Sequence, residues 1–147
     1  AAETAVETLS RRMQHCRELE TLLRQQISER IDDIQFNGHP VEHIPGLVNV
    51  SFRYVEGEAL LLHMDMRGIS VAGASACMSI TAKASHVLEA MGVLGGGALG
   101  TLLFTMGEEN TRDEIYKTAE TLEAVVKMLR AMSPLYNRVG AGTPGKS

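Results

Sequence analysis

Cysteine is scarce in this 147-residue chain: Cys16 and Cys77 are the only two, far apart. That separation supplies neither a metal-ligand motif nor a disulfide framework. It suits a reducing, cytoplasmic setting. Basic charge is also short. The 14 Lys and Arg are outnumbered by 18 Asp and Glu, giving a net charge of −4. The two signs are interleaved, so no basic field is available for nucleic acid. No apolar run approaches the ~20 residues of a membrane-spanning helix. The first residues are acidic and amphipathic, unlike a signal peptide. They also lack an initiator Met and a Ser, Thr, Asp or Asn cap, although a helical pattern is already under way. A chain cut from something longer is expected to begin in this way.

What is present is an ordinary globular composition. Apolar residues make up 44% of the chain, and its length suits one domain with one core. Val6, Leu9, Met13, Cys16, Leu19, Leu23, Ile27 and Ile31 recur every three or four residues. They define one face of a long helix, expected over Ala2 to Arg30. Glu7 with Arg11 and Glu20 with Arg24 stand four apart in the favourable acid-first order. Cys16 lies on the apolar stripe and reads as core. Asn37-Gly38 and Pro45-Gly46 are turn signals. Leu47 to Tyr54 alternates imperfectly and reads as a strand. Gly57 to Met66 reads as a short helix with Leu60, Leu61 and Met64 inward. Further strands are expected at Ile69 to Val71 and Leu99 to Met106, and a helix at Ala82 to Met91 with Gly92 at its C-terminal cap. Thr111 and Glu114 fit a capping box that opens a helix to Met132, which Pro134 stops.

The residues that could carry chemistry are few. Cys77 sits in a loop of small residues, Ala72 to Ala76, between a strand and a helix. Such a thiol can be reached and can move, two needs of a nucleophile; the third is a lowered pKa. The plainer alternative is a small buried hydrophobe. His39 and His43 flank a proline-containing turn and lack the companion ligands of a metal site. His63 reads as a helix-surface residue. Glu108, Glu109, Asp113 and Glu114 read as solvated charge at a helix N-terminus. Gly140 to Ser147 matches the phosphate-binding P-loop pattern. The motif needs a helix after it, and this chain ends at Ser147, so a nucleotide site is rejected.

Four motifs in one order are more specific than any alone. They are E-G-E-A-L-L-L at Glu56 to Leu62, Asp65 with Gly68-Ile69, S-A-C at Ser75 to Cys77, and S-H-V-L-E-A-M-G at Ser85 to Gly92. With them the chain resembles, from about Ala1 to Asn137, the C-terminal part of the pyridoxal-phosphate-dependent cysteine desulfurases, class V aminotransferases of the branch serving iron–sulfur cluster assembly. The resemblance implies a strand at Ile34 to Phe36. It also implies an α+β fold: a small, mostly antiparallel sheet covered on one face by helices, as in the small domain of aminotransferase-like enzymes. Residues 1–137 would form that domain and residues 138–147 a flexible tail. Cys77 would be the catalytic residue, taking sulfur from L-cysteine as a persulfide and passing it to an acceptor or iron–sulfur scaffold protein. A homodimer and a large cofactor-binding domain are the other implied partners, with no nucleic acid or membrane among them. The family has a histidine at the place of His86, with no role as a base proposed for it.

Three departures from the family's pattern matter. The lysine that holds pyridoxal phosphate belongs to the large domain. Lys83, Lys117, Lys127 and Lys146 stand in other contexts, so no pyridoxal phosphate is expected on this chain alone. Leu103 occupies the place of an arginine that binds the substrate carboxylate, a contact leucine cannot make. The loop before Cys77 has lost two hydroxyls, and Ala74 stands where the family has glycine. The alternative expectation is therefore a degenerate, non-catalytic domain serving as a structural or partner-binding module.

Overall fold

The repeating apolar positions at the start of the chain fold as helix α1 (Ala2–Arg30), 29 residues and about 44 Å long. The computed structural model describes residues 2–39, 42–73, 99–134 and 136–137. Cys77, His86, the expected helix at Ala82 to Met91 and the tail from residue 138 lie outside them. The second half of α1 buries Leu19, Leu22, Leu23 and Ile27. The first half is different: Val6, Leu9 and Met13 are 64%, 57% and 38% exposed. The helix overhangs the sheet there. Among the described residues, its polar links to the rest of the domain start at Arg12, which pairs with Glu108, and at His15, whose Nε2 lies 2.9 Å from the Asn110 carbonyl.

Four strands follow along the chain: β1 (Ile34–Asn37), β2 (Leu47–Arg53), β3 (Ala72–Gly73) and β4 (Leu99–Thr105). They form one antiparallel sheet in the order β1-β2-β4-β3. Helices α2 (Gly57–Asp65) and α3 (Arg112–Met132) complete the described elements. The α+β architecture implied by the sequence is therefore present.

The register fixes which side chains share a face. Val48 stands opposite Phe104, and Val50 opposite Leu102 on one side and Phe36 on the other. With Phe52 they make the face that packs with Leu60 and Met64 of α2, Leu122 and Val125 of α3, and Leu23 and Ile27 of α1. Burial of such side chains is the main favourable term, roughly 1.5–3 kcal/mol each. Leu61 is half-buried against the same cluster.

The opposite face explains the imperfect alternation of β2. Asn49 stands opposite Leu103, and Ser51 opposite Thr101. Asn37 Nδ2 donates to Asn49 Oδ1 at 3.0 Å and to Ser51 Oγ at 2.8 Å, and Ser51 Oγ lies 2.8 Å from Thr101 Oγ1. Asn37, Ser51 and Thr101 are all buried. The Asn37 amide nitrogen and the two hydroxyls are thus paired with one another, while Asn37 Oδ1 is buried without a hydrogen-bond partner among the described residues.

The expected strand at Ile69 to Val71 is displaced: pairing begins at Ala72, opposite Leu103. Gly68, at φ +76°, turns the chain out of α2, and Ile69 N donates back to the Met64 carbonyl. Ile69 and Ser70 then run along one wall of a cleft, with Phe104 to Met106 across it. Residues 69–71 thus stay out of the ladder, although Ile69 and Val71 resemble a strand.

Two tight places lock the sheet to the helices. Gly46 has φ +85°, and a Cβ there would meet the Met106 carbonyl oxygen at 2.7 Å and Cys16 Cβ at 3.2 Å. Asp33 and Tyr54 also hold positive φ, at 53° and 64°. Arg130 spans both turns. Its Nε donates to the Arg53 carbonyl at 3.1 Å, and its Nη2 to those of Asp32 and Asp33 at 2.8 and 3.2 Å.

Candidate functional site

Strand β4 carries the centre of the candidate site because it pairs with both β2 and β3. Leu103, midway along it, faces away from the helices, between Asn49 and Ala72. It is half-buried. A branched apolar side chain therefore holds the place where the family resemblance implies an arginine. Beside it β3 ends at Gly73, four residues before Cys77 in the sequence. Covalent geometry alone limits Cys77 to within about 14 Å of Gly73. Cys77 itself lies outside the described residues, as do Ser75 and His86.

The second cysteine is structural in its setting. Cys16 is half-buried rather than sealed in the core, since α1 is leaving the sheet at that turn. Its Sγ donates to the Met106 carbonyl at 3.6 Å, over the turn at Gly46.

The titratable groups are placed for architecture. Glu20, read from spacing as a partner of Arg24, is 5% exposed. It does accept from Arg24 Nε at 3.1 Å, but it also serves the turn at Gly46. Its Oε1 lies 2.5 Å from His43 Nε2, and its Oε2 accepts from Gly46 N at 3.2 Å. His43 and His39 thus belong to a loop clamp. No group of three or more His, Cys, Asp or Glu among the described residues could hold a metal ion. His63 receives Arg67 on α2. Glu114 closes the expected capping box. It accepts from Thr111 N at 3.0 Å while its own N–H donates to Thr111 Oγ1 at 3.3 Å. The Thr111 N–H, followed by the Asn110 amide, holds its carboxyl below the ordinary glutamate value.

Lys117 and Lys127 are the lysines among the described residues. Both are exposed on α3, and neither has an ion-pair or aromatic partner there. A Schiff-base lysine needs an enclosed site and a partner for the cofactor ring. The described residues therefore do not fit pyridoxal phosphate, and none of the chemistry assigned to them passes through it. No helix among them is long and apolar enough to cross a membrane.

The profile of the family described as aminotransferase class-V matches residues 4–117. The chain belongs to the class V aminotransferase family. Among curated members, it is 46% identical over 109 residues to cysteine desulfurase IscS 1 of Archaeoglobus fulgidus, covering 74% of this chain and 28% of that protein. It is 36% identical over 147 residues to the cysteine desulfurase of Homo sapiens, covering all of this chain and 32% of that one. The chain thus spans about a third of the length of the curated relatives it matches. The fold agrees with that of a NifS-like protein from Rickettsia africae ESF-5. The TM-score is 0.67 at 19% identity, over 82% of this chain and 31% of that one. The small-domain fold of this family is the one the helices and sheet above describe.

Proposed function

We propose that this chain is the C-terminal part of a cysteine desulfurase, and that Cys77 receives sulfur derived from L-cysteine and holds it as a persulfide. The observation that carries this reading is the 46% identity over 109 residues to a protein named cysteine desulfurase. The described residues are compatible with it: β3 pairs with β4 and ends at Gly73, four residues before Cys77 in the sequence. A large domain would supply the cofactor lysine and the pyridoxal phosphate, the electron sink that releases sulfur from the substrate. An acceptor or iron–sulfur scaffold protein would take the sulfur, and a homodimer is the expected assembly.

One observation favours a second reading. Leu103 presents hydrocarbon on β4, where a substrate carboxylate would need a charge-assisted contact. In that reading the domain keeps the fold and the partner surface without catalysis. Co-expression with the N-terminal two-thirds of a curated relative separates the two. Alanine formation from L-cysteine, with sulfide released by an added thiol reductant and both requiring Cys77, supports sulfur transfer. Release that appears only with Leu103→Arg supports the non-catalytic module.

A further inference from the structure

One cleft on the helix side of the sheet plays no part in that proposal. Its volume is about 370 Å³, within the range of about 300–1,000 Å³ typical of small-molecule sites. It opens between the turn from α2 to β3, the end of β4 and the first two turns of α3. Leu23, Phe104 and Ile115 give it an apolar floor and are otherwise buried. Ser70 and Thr118 add two hydroxyl-bearing residues to its walls, and neither side chain has a hydrogen-bond partner among the described residues.

Two cations stand at the rim, Arg67 and Lys117. Arg67 Nη1 donates to the His63 carbonyl at 3.0 Å, leaving the Nε and Nη2 edge without a partner among the described residues. That edge is the one suited to a planar, two-point anion. The carboxylate present, Glu114, is already engaged by Thr111 N and by Asn110 Nδ2, at 3.0 and 3.2 Å. Counting formal charges, two cations and one engaged anion leave the rim net positive. The negative group nearby disfavours a dianion, and the floor calls for hydrocarbon.

We propose that this cleft binds a small organic monocarboxylate, its carboxylate held by Arg67 and Lys117 and its apolar body resting on Leu23, Phe104 and Ile115. The site lies on the face of the sheet opposite Leu103, and it is independent of the sulfur-transfer reading.

The test is a titration of the full 147-residue chain with 4-fluorobenzoate, followed by ligand fluorine NMR and protein amide shifts. Saturable binding is expected, with shifts centred on residues 67–70 and 114–118. Arg67→Gln and Lys117→Gln should each weaken it about fivefold, the scale of one lost solvent-facing charge contact. Lys127→Gln, elsewhere on α3, should leave it unchanged. The neutral 4-fluorobenzyl alcohol should bind at least about fivefold more weakly than the acid, a comparison that needs no variant. No saturable binding, equal binding of the alcohol, an equal loss in Lys127→Gln, or displacement by inorganic phosphate at matched concentration would each overturn the assignment.

Discussion

Replacing Arg130 by Met should remove much of the domain's stability. Arg130 is 7% exposed, and its guanidinium donates to three backbone carbonyls, those of Asp32, Asp33 and Arg53. Methionine keeps much of the apolar stem and deletes every donor. A hydrogen bond to a charged group is worth about 1.5–3 kcal/mol, so three bonds give a gross loss of several kcal/mol. Two effects reduce it. The desolvation cost of the buried cation disappears with the cation, and some freed carbonyls will recruit water. The turns oppose that relief. Asp33 and Tyr54 hold left-handed backbone, at about 1–2 kcal/mol each, and the carbonyls Arg130 grips include that of Asp33 and the one just before Tyr54. A net loss of about 3 kcal/mol follows. With a urea slope of about 1.5 kcal/mol/M, the unfolding midpoint should fall by about 2 M. Arg130→Lys keeps the charge and three donors on one nitrogen but loses the planar fork that spans both turns, and should lose about half as much. A midpoint shift below about 0.3 M for the Met variant, at unchanged slope, would refute the idea that this side chain locks the two turns.

Gly46→Ala should lower stability by about 3 kcal/mol or prevent folding, because φ is positive and the new Cβ meets a backbone oxygen; thermal unfolding checks it, and a near-neutral result would refute it. Glu114→Gln should remove a stabilising contribution that is present at neutral pH. A depressed carboxyl pKa stabilises fully above the unfolded value, and that contribution is lost as pH falls through the folded pKa. The wild-type and Gln unfolding curves should therefore converge in acid and separate toward neutral pH. The purified chain should form no internal aldimine with pyridoxal phosphate. A borohydride-sensitive absorbance band, with a modified lysine found by mass spectrometry, would contradict that.

Local chemistry was legible wherever it was strong. Thr111 and Glu114 announced α3 because a capping box is written within four residues. The stripe on α1 announced a helix, but periodicity does not say where the sheet beneath it ends. Val6, Leu9 and Met13 are therefore exposed, while Leu19 and Leu23 are sealed. Glu20 looked like half of a surface ion pair because Arg24 stands four residues away. Its deeper partners, His43 and the Gly46 N–H, arrive only through the fold. Arg130 carried no signal at all, since its partners are carbonyls, which every residue has. Ile69 to Val71 misled because β-branched residues report a half-buried environment, and a cleft wall satisfies that as well as a strand does. At the candidate site, Leu103 and its strand were readable through the family's motif order. Cys77 was chosen by the same means, and its surroundings lie outside the described residues.

Sulfur loading tests the central claim most directly. The folded chain would be treated with a small-molecule persulfide donor, quenched with an alkylating reagent and mapped by peptide mass spectrometry. Cys16 is half-buried against the Met106 carbonyl, whereas Cys77 follows a run of small residues. The account predicts that one added sulfur atom appears on Cys77 and is absent from the Cys77→Ala variant. It also predicts that Cys77 is alkylated at least about tenfold faster than Cys16. Equal loading and equal alkylation of the two cysteines would contradict it.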